Sequence, residues 1–216
     1  MRLLPPKKRS YPFKMSSQHY FTAQPESKTD EREITASLRG KSYRFVTDAG
    51  VFSKGHVDEG TRLLIETVEF PASGLICDLG CGYGPIGLVA ADQSPACMVH
   101  LVDVNARAVA LAERNLELNN VTNAEVFLGD GFAPLPAGNY HLILTNPPIR
   151  AGKKVVYPLV EEAYQRLEPG GRLCLVIRTK QGAKSMEKHM ASLFGNVATL
   201  AKDKGFRILQ SVRASQ

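Results

Sequence analysis

Eight residues, Asp78-Leu-Gly-Cys-Gly-Tyr-Gly-Pro85, restrict the possible folds more than any other stretch of this chain. The segment closes an apolar run that starts at Leu75 and opens a helix-length apolar stretch, Pro85–Gln93. Its glycines permit a tight turn and a close backbone approach to a ligand. Pro85 suits the first helical position, where a missing N–H costs nothing. A strand, a glycine-rich turn and a helix in that order begin a βαβ unit. The alternation then continues, with strands expected at Leu75–Leu79, Met98–Asp103, Ala124–Leu128, Tyr140–Thr145, Arg172–Ile177, Val197–Ala201 and Phe206–Val212. Helices are expected at Pro85–Gln93, Ala106–Asn119, Lys154–Leu167 and Gln181–Leu193. Apolar strands with helical connections form a parallel sheet covered on both faces. The last two strands flank Lys202-Asp-Lys-Gly205, a hairpin signal. The expected fold is therefore α/β, doubly wound and Rossmann-like. Its seven-stranded sheet is mostly parallel, with an antiparallel C-terminal hairpin edge.

Residues 16–50 are polar and charged, with brief strand-like pieces; Lys41–Val46 alternates well enough for a strand. Asp58 is expected to cap a helix over 59–69, with Leu63, Leu64 and Val68 on its apolar face. Residues 1–14 carry five basic residues and no acid, and Met15 begins a more ordinary stretch. Residues 1–14 are expected to be a leader or disordered basic arm, and 15–216 a single domain. Charge divides that domain unevenly. Residues 15–149 hold nine basic and 16 acidic residues, and residues 150–216 hold 13 basic and five acidic. The basic C-terminal part suits a polyanion such as RNA, although a solvated lysine-rich surface looks the same. No window approaches the roughly 18 apolar residues of a membrane span, and the N-terminus is too polar for a signal-peptide core. A cytoplasmic protein with no membrane partner is expected. The four cysteines read as buried thiols, since no second Cys/His pair follows Cys77 and Cys81 at zinc spacing.

Two cofactors compete for the glycine loop. Gly82, Gly84 and Gly87 also fit the dinucleotide spacing GxGxxG. Asp78 decides against a dinucleotide, because a carboxylate at the strand end would face the loop and repel a pyrophosphate there. The same carboxylate suits S-adenosyl-L-methionine, which carries an α-ammonium and a sulfonium. Asp103 ends the next strand, 19 residues after Gly84, where it can accept bonds from both ribose hydroxyls; a helix cap is the plainer role. Asp130, after the third strand, can accept from an adenine amino group or simply shape a turn. Residues 71–216 are then the cofactor-binding core, and 15–70 a substrate or lid segment.

Asn146-Pro147-Pro148-Ile149 ends the fourth strand, at the same carboxyl-end crevice as the glycine loop. The two prolines restrict the backbone and hold the Asn146 amide and adjoining carbonyls in one geometry. Those oxygens can accept both N–H bonds of an –NH2 group, draw its lone pair out of conjugation and aim it at an activated methyl. Positioning and electrostatics then carry the reaction without a strong base.

Asp78–Gly84, Asp103 and Asn146–Ile149 together resemble class I methyltransferases. The longer pieces Gly50–Ile65, Asp78–Leu88 and Thr145–Lys154 resemble the small-domain methyltransferases related to the 16S ribosomal RNA guanine-N2 enzymes, over about residues 20–213. The resemblance implies cofactor contacts at Asp78, Gly80, Gly82, Asp103 and Asp130, and substrate-nitrogen contacts at Asn146 and Pro147, with Pro148 completing the loop. It places Phe52 near the active site and Ile149, Arg150 and Lys153 on the substrate side. Many relatives carry Phe or Tyr where this chain has Ile149, which cannot stack on a base; Phe52 or Tyr157 are possible substitutes. The two-domain guanine enzymes also have an additional N-terminal domain without a counterpart in these 216 residues. RNA contact is then expected from the N-terminal segment and from Arg150, Lys153, Lys154, Arg178, Lys180 and Lys184. The leading expectation is methylation of a guanine N2 amine in ribosomal RNA, with no metal. The alternatives are adenine N6, a protein glutamine amide, or a non-catalytic RNA-binding assembly factor.

Overall fold

The computed structural model describes residues 29–51, 53 and 55–215. The expected leader and Phe52 lie outside the described residues.

The apolar run before the glycine loop becomes the central strand β3 (Gly74–Leu79), buried over its last four residues. It pairs in parallel with β4 (Cys97–Asp103) on one side and β6 (Tyr140–Thr145) on the other. Strand β5 (Ala124–Leu128) extends the sheet beyond β4, and β7 (Leu167–Arg178) extends it beyond β6. Strands β8 (Ala198–Asp203) and β9 (Phe206–Val212) complete the order β5-β4-β3-β6-β7-β9-β8, with β9 antiparallel to both β7 and β8. This is the expected doubly wound α/β sheet with an antiparallel C-terminal edge.

Strand periodicity divides the core in two. Ile76, Val99, Leu101, Leu142, Leu144 and Val176 point to one face, packed with residues of α1 (Glu59–Thr67), α2 (Pro85–Gln93) and α3 (Ala106–Leu118). Cys77, Leu79, Val102, Ile143, Leu173 and Ile177 point to the other, against α4 (Lys153–Arg166) and α5 (Ala183–Phe194). Sequence order turns back at β3, because β4 and β5 lie to one side and β6 to the other. The carboxyl ends of β3 and β6 therefore bracket the switch-point crevice where ligands bind in such sheets.

A separate antiparallel pair, β1 (Arg32–Leu38) and β2 (Lys41–Thr47), caps the α2–α3 side. One buried residue fastens it there. Asn115 of α3 accepts from Val46 N at 2.7 Å and donates to Val46 O at 3.0 Å and Tyr83 O at 2.9 Å. Hairpin, helix and glycine loop thus share a single side-chain amide. Asp58 caps α1 through Oδ2, accepting from Gly60 N and Thr61 N, although the helix ends at Thr67 rather than 69.

Among the strands, β7 and β8 depart most from the expected bounds. Strand β7 starts at Leu167, not Arg172, and takes the residue expected to end α4. The extension holds because Leu167 pairs with Tyr140, and the 170–171 backbone exchanges hydrogen bonds with Arg213. The C-terminal hairpin turns at Lys204–Gly205, both at positive φ, as a two-residue hairpin turn requires. This lengthens β8 to Asp203.

Candidate active site

The glycine loop leaves β3 and is held in place from behind. Gly80 N and Cys81 N both donate to Val102 O, which ties the loop to the neighbouring strand. Gly80 and Gly82 adopt positive φ, and a Cβ on either would meet nothing within 4 Å. Their open side forms the floor of a cavity of about 620 Å³, mouth included. Gly87 does the opposite work: a Cβ there would lie 2.5 Å from the Leu101 side chain, so glycine is what lets α2 approach β4.

Asp103 lines this cavity, with its carboxylate already in use. Oδ2 accepts from Gly82 N at 2.8 Å and Oδ1 from Asn105 N at 2.9 Å. Each oxygen keeps a further lone pair. Burial raises the Asp103 pKa above the usual carboxylate value, against the pull of these N–H donors. The helix cap that competed with a ligand role at Asp103 falls instead to Asn105, whose side chain accepts from Arg107 N and Ala108 N. The rim is closed by the hairpin's exit: Asn105 Nδ2 donates to Gly50 O at 3.1 Å, and Arg107 pairs with buried Asp48 at 3.2 Å. Val51, just beyond, lines the cavity.

Asp78 does not line it. The residue is fully buried, and Oδ2 accepts from Gly87 N at 2.8 Å, in the first turn of α2. Oδ1 has no hydrogen-bond partner among the described residues. Burial pushes this carboxyl up to about 7, with the Gly87 N–H opposing and the Asp103 charge adding to the rise. The expected clash of Asp78 with a pyrophosphate is thus corrected in its geometry. Asp78 lies behind the loop and occupies an amide at the helix N-terminus that a phosphate would use. Asp130 is exposed and absent from the cavity lining.

The second loop leaves β6 one strand away. Thr145 Oγ1 donates to Leu79 O at 2.7 Å and joins the two strand ends. Asn146 follows, with Nδ2 donating to Thr61 Oγ1 at 3.0 Å and lying 3.4 Å from Asp58 Oδ2. A carboxylate only accepts, so Asp58 fixes which end of the amide is nitrogen and leaves the Asn146 oxygen for another partner. The Pro147 carbonyl accepts from Ile149 N at 2.8 Å, closing a three-residue turn.

Asn146 and Pro147 line the first cavity and also a second one of about 760 Å³, mouth included. Pro148, Ile149, Arg150, Arg178, Gln181, Phe206 and Asp58 line this second cavity. Lys153 does not; its ammonium lies 3.3 Å from Ser185 Oγ. Tyr157, a candidate for stacking, is instead stacked on His189 with centroids 3.9 Å apart. Among the described residues, the aromatic ring lining the second cavity is Phe206, with the Arg178 guanidinium 4.3 Å from its centroid. Thr61, Asn105 and Phe206 were not expected at the site. Asp58 carried only a capping signal, and Phe206 read as a strand residue. These long-range neighbours left no local mark.

Residues 42–210 match the methyltransferase small domain family. The chain is 43% identical over 197 residues to the uncharacterized protein YbxB of Bacillus subtilis, an alignment covering 90% of this chain and 98% of that one. It is 32% identical to ribosomal RNA large subunit methyltransferase G of Erwinia tasmaniensis, covering 98% of this chain and 58% of the relative. Among solved structures, a 16S rRNA N2 methyltransferase from T. thermophilus, in complex with AdoMet and guanosine, aligns with a TM-score of 0.77 at 28% identity. That alignment covers 88% of this chain and 52% of that one, so the chain spans little more than half the length of these two rRNA enzymes. The chain belongs to the methyltransferase small domain family.

Proposed function

We propose that this chain transfers a methyl group from S-adenosylmethionine to the exocyclic N2 amine of a guanine in ribosomal RNA. The observation that carries this reading is the shared wall. Asn146 and Pro147 border both cavities, so a group held by them from the second cavity faces the first. The relative solved with AdoMet and guanosine favours the same pair of ligands.

The first cavity fits the cofactor on three grounds. The Gly80–Gly82 backbone is open to close approach. Asp103 offers free lone pairs at the wall. Burial raises the pKa values of Asp78 and Asp103, and a cation bound nearby would restore their charged forms. Gly80, Gly82 and Asp103 would hold the cofactor, and Asp78 acts from behind the loop. Asp130 stays outside this set. When bound, S-adenosylmethionine supplies a methyl group activated by positive sulfur. The protein's part is orientation: the Asn146 oxygen and the remaining Pro147 lone pair accept the amine's N–H bonds and turn its lone pair toward the first cavity. Thr61 keeps the Asn146 amide in register. Arg150 and Arg178 line the second cavity, and Lys153, Lys154, Lys180 and Lys184 flank its wall residues in sequence, which suits an RNA backbone.

Titration calorimetry tests the cofactor half. One S-adenosylmethionine per chain and no measurable binding of NAD is the expected result; the reverse would remove the reading. Two substitutions test the rest. Thr61→Val should lower kcat about tenfold through misplacement of Asn146, with KM for the cofactor nearly unchanged and recovery in Thr61→Ser. A fall in cofactor affinity instead would make Thr61 a cavity-wall residue only. Arg178 over Phe206 offers a flat guanidinium at the wall of the second cavity, and stacking on it would be worth about 1–3 kcal/mol per base. Arg178→Ala should lower kcat/KM for RNA about tenfold or more, and Arg178→Lys should not restore it. Full rescue by lysine would show that charge alone matters.

A further inference from the structure

We infer that Asp58 selects guanine, by accepting the ring N1–H beside the amine that Asn146 holds; this rests on the methyl-transfer reading above. Asp58 has two oxygens with different tasks. Oδ2 caps α1, accepting from Gly60 N at 2.9 Å and Thr61 N at 3.1 Å, and is the oxygen 3.4 Å from Asn146 Nδ2. Oδ1 accepts no hydrogen bond from any described residue. The residue is half-buried and lines the second cavity beside Asn146 and Pro147. Helix α1 therefore presents a carboxylate oxygen next to the groups that receive the amine.

The chemistry of the candidate amines then decides. In guanine, the ring atom on one side of the 2-amino carbon is N1, which carries a proton. In adenine the N6 amine sits beside a bare N1, in cytosine the N4 amine beside a bare N3, and in a glutamine amide the nitrogen sits beside a carbonyl oxygen. A carboxylate accepts from the first and repels the lone pairs of the other three. Sites that hydrogen-bond a substrate N–H reject analogues lacking it strongly, because the buried acceptor is left unpaired. Asp58 thus combines a structural duty, which asparagine can also perform, with a selective one, which asparagine cannot.

That division makes the inference testable. The substrate is an RNA fragment carrying the guanine methylated by the wild-type protein, compared with the same fragment bearing 2-aminopurine there. 2-Aminopurine keeps the amine but has a bare N1. Wild type should prefer guanine by about a hundredfold in kcat/KM. Asp58→Asn, with its helix cap intact and an amide able to donate to a bare N1, should lose about a hundredfold on guanine and gain on 2-aminopurine, which reverses or abolishes the preference. Equal losses on both substrates would show that Asp58 only braces α1 and Asn146. If the variant fails to fold, the wild-type comparison still decides, since parity between the two bases would overturn the inference. Methyl label on adenine or protein in place of guanine would overturn the parent reading and this one with it.

Discussion

Asn146→Ala is expected to lower methyl transfer by about a thousandfold, while affinity for S-adenosylmethionine changes by less than about threefold. The side chain is held by its nitrogen, through Thr61 and Asp58 of the α1 segment, so its oxygen is the free end. Removing that oxygen deletes an acceptor that orients the reacting amine, a loss felt in the transition state and not in cofactor binding. The first cavity keeps Gly80, Gly82, Asp103 and Pro147, which is why cofactor affinity should survive. Single-turnover rates beside calorimetric affinities separate the two effects. Equal loss of both would assign the loop after β6 to the cofactor alone.

Asp103→Ala is expected to show the opposite signature. Cofactor affinity should fall by about 1–3 kcal/mol, roughly five- to 150-fold, the cost of stranding buried polar partners. Two losses combine. The Gly82 and Asn105 N–H groups lose the acceptor that shapes the loop, and the cavity wall loses the carboxylate whose remaining lone pairs would accept from the cofactor. At saturating cofactor the rate of methyl transfer should recover most of its wild-type value. Unchanged affinity would remove Asp103 from the site; a rate that stays low at saturation would place it nearer the chemistry than the geometry does.

The parts of this account that were legible beforehand are those written in neighbouring residues. Glycines at 80, 82 and 84 with Pro85 require a strand-to-helix turn, and the apolar runs that follow require a parallel sheet. Two loops at the carboxyl ends of β3 and β6 then meet without any information about contacts, because the topology brings them together. What escaped depends on side-chain direction or on distant partners. Asp78 reads from the sequence as facing the loop, and its bond from the Gly87 N–H puts it behind the loop instead. Asp130 follows the third strand of the sheet, where an acid can accept from an adenine amino group, yet it is exposed and outside the cavity lining. Thr61 meets Asn146 across 85 residues, and Phe206 reaches the second cavity from a hairpin that the sequence marked only as a sheet edge. The absence of an aromatic after the prolines is visible at Ile149, but the Arg178–Phe206 pair beside the second cavity depends on the packing of β7 on β9.

The most direct test of the central claim is transfer of a labelled methyl group from S-adenosylmethionine to ribosomal RNA from cells lacking this protein, with the nucleosides resolved by mass spectrometry. The account predicts label in N2-methylguanosine, absent with Asn146→Ala. Label in N6-methyladenosine, or in protein with the RNA unlabelled, would contradict it.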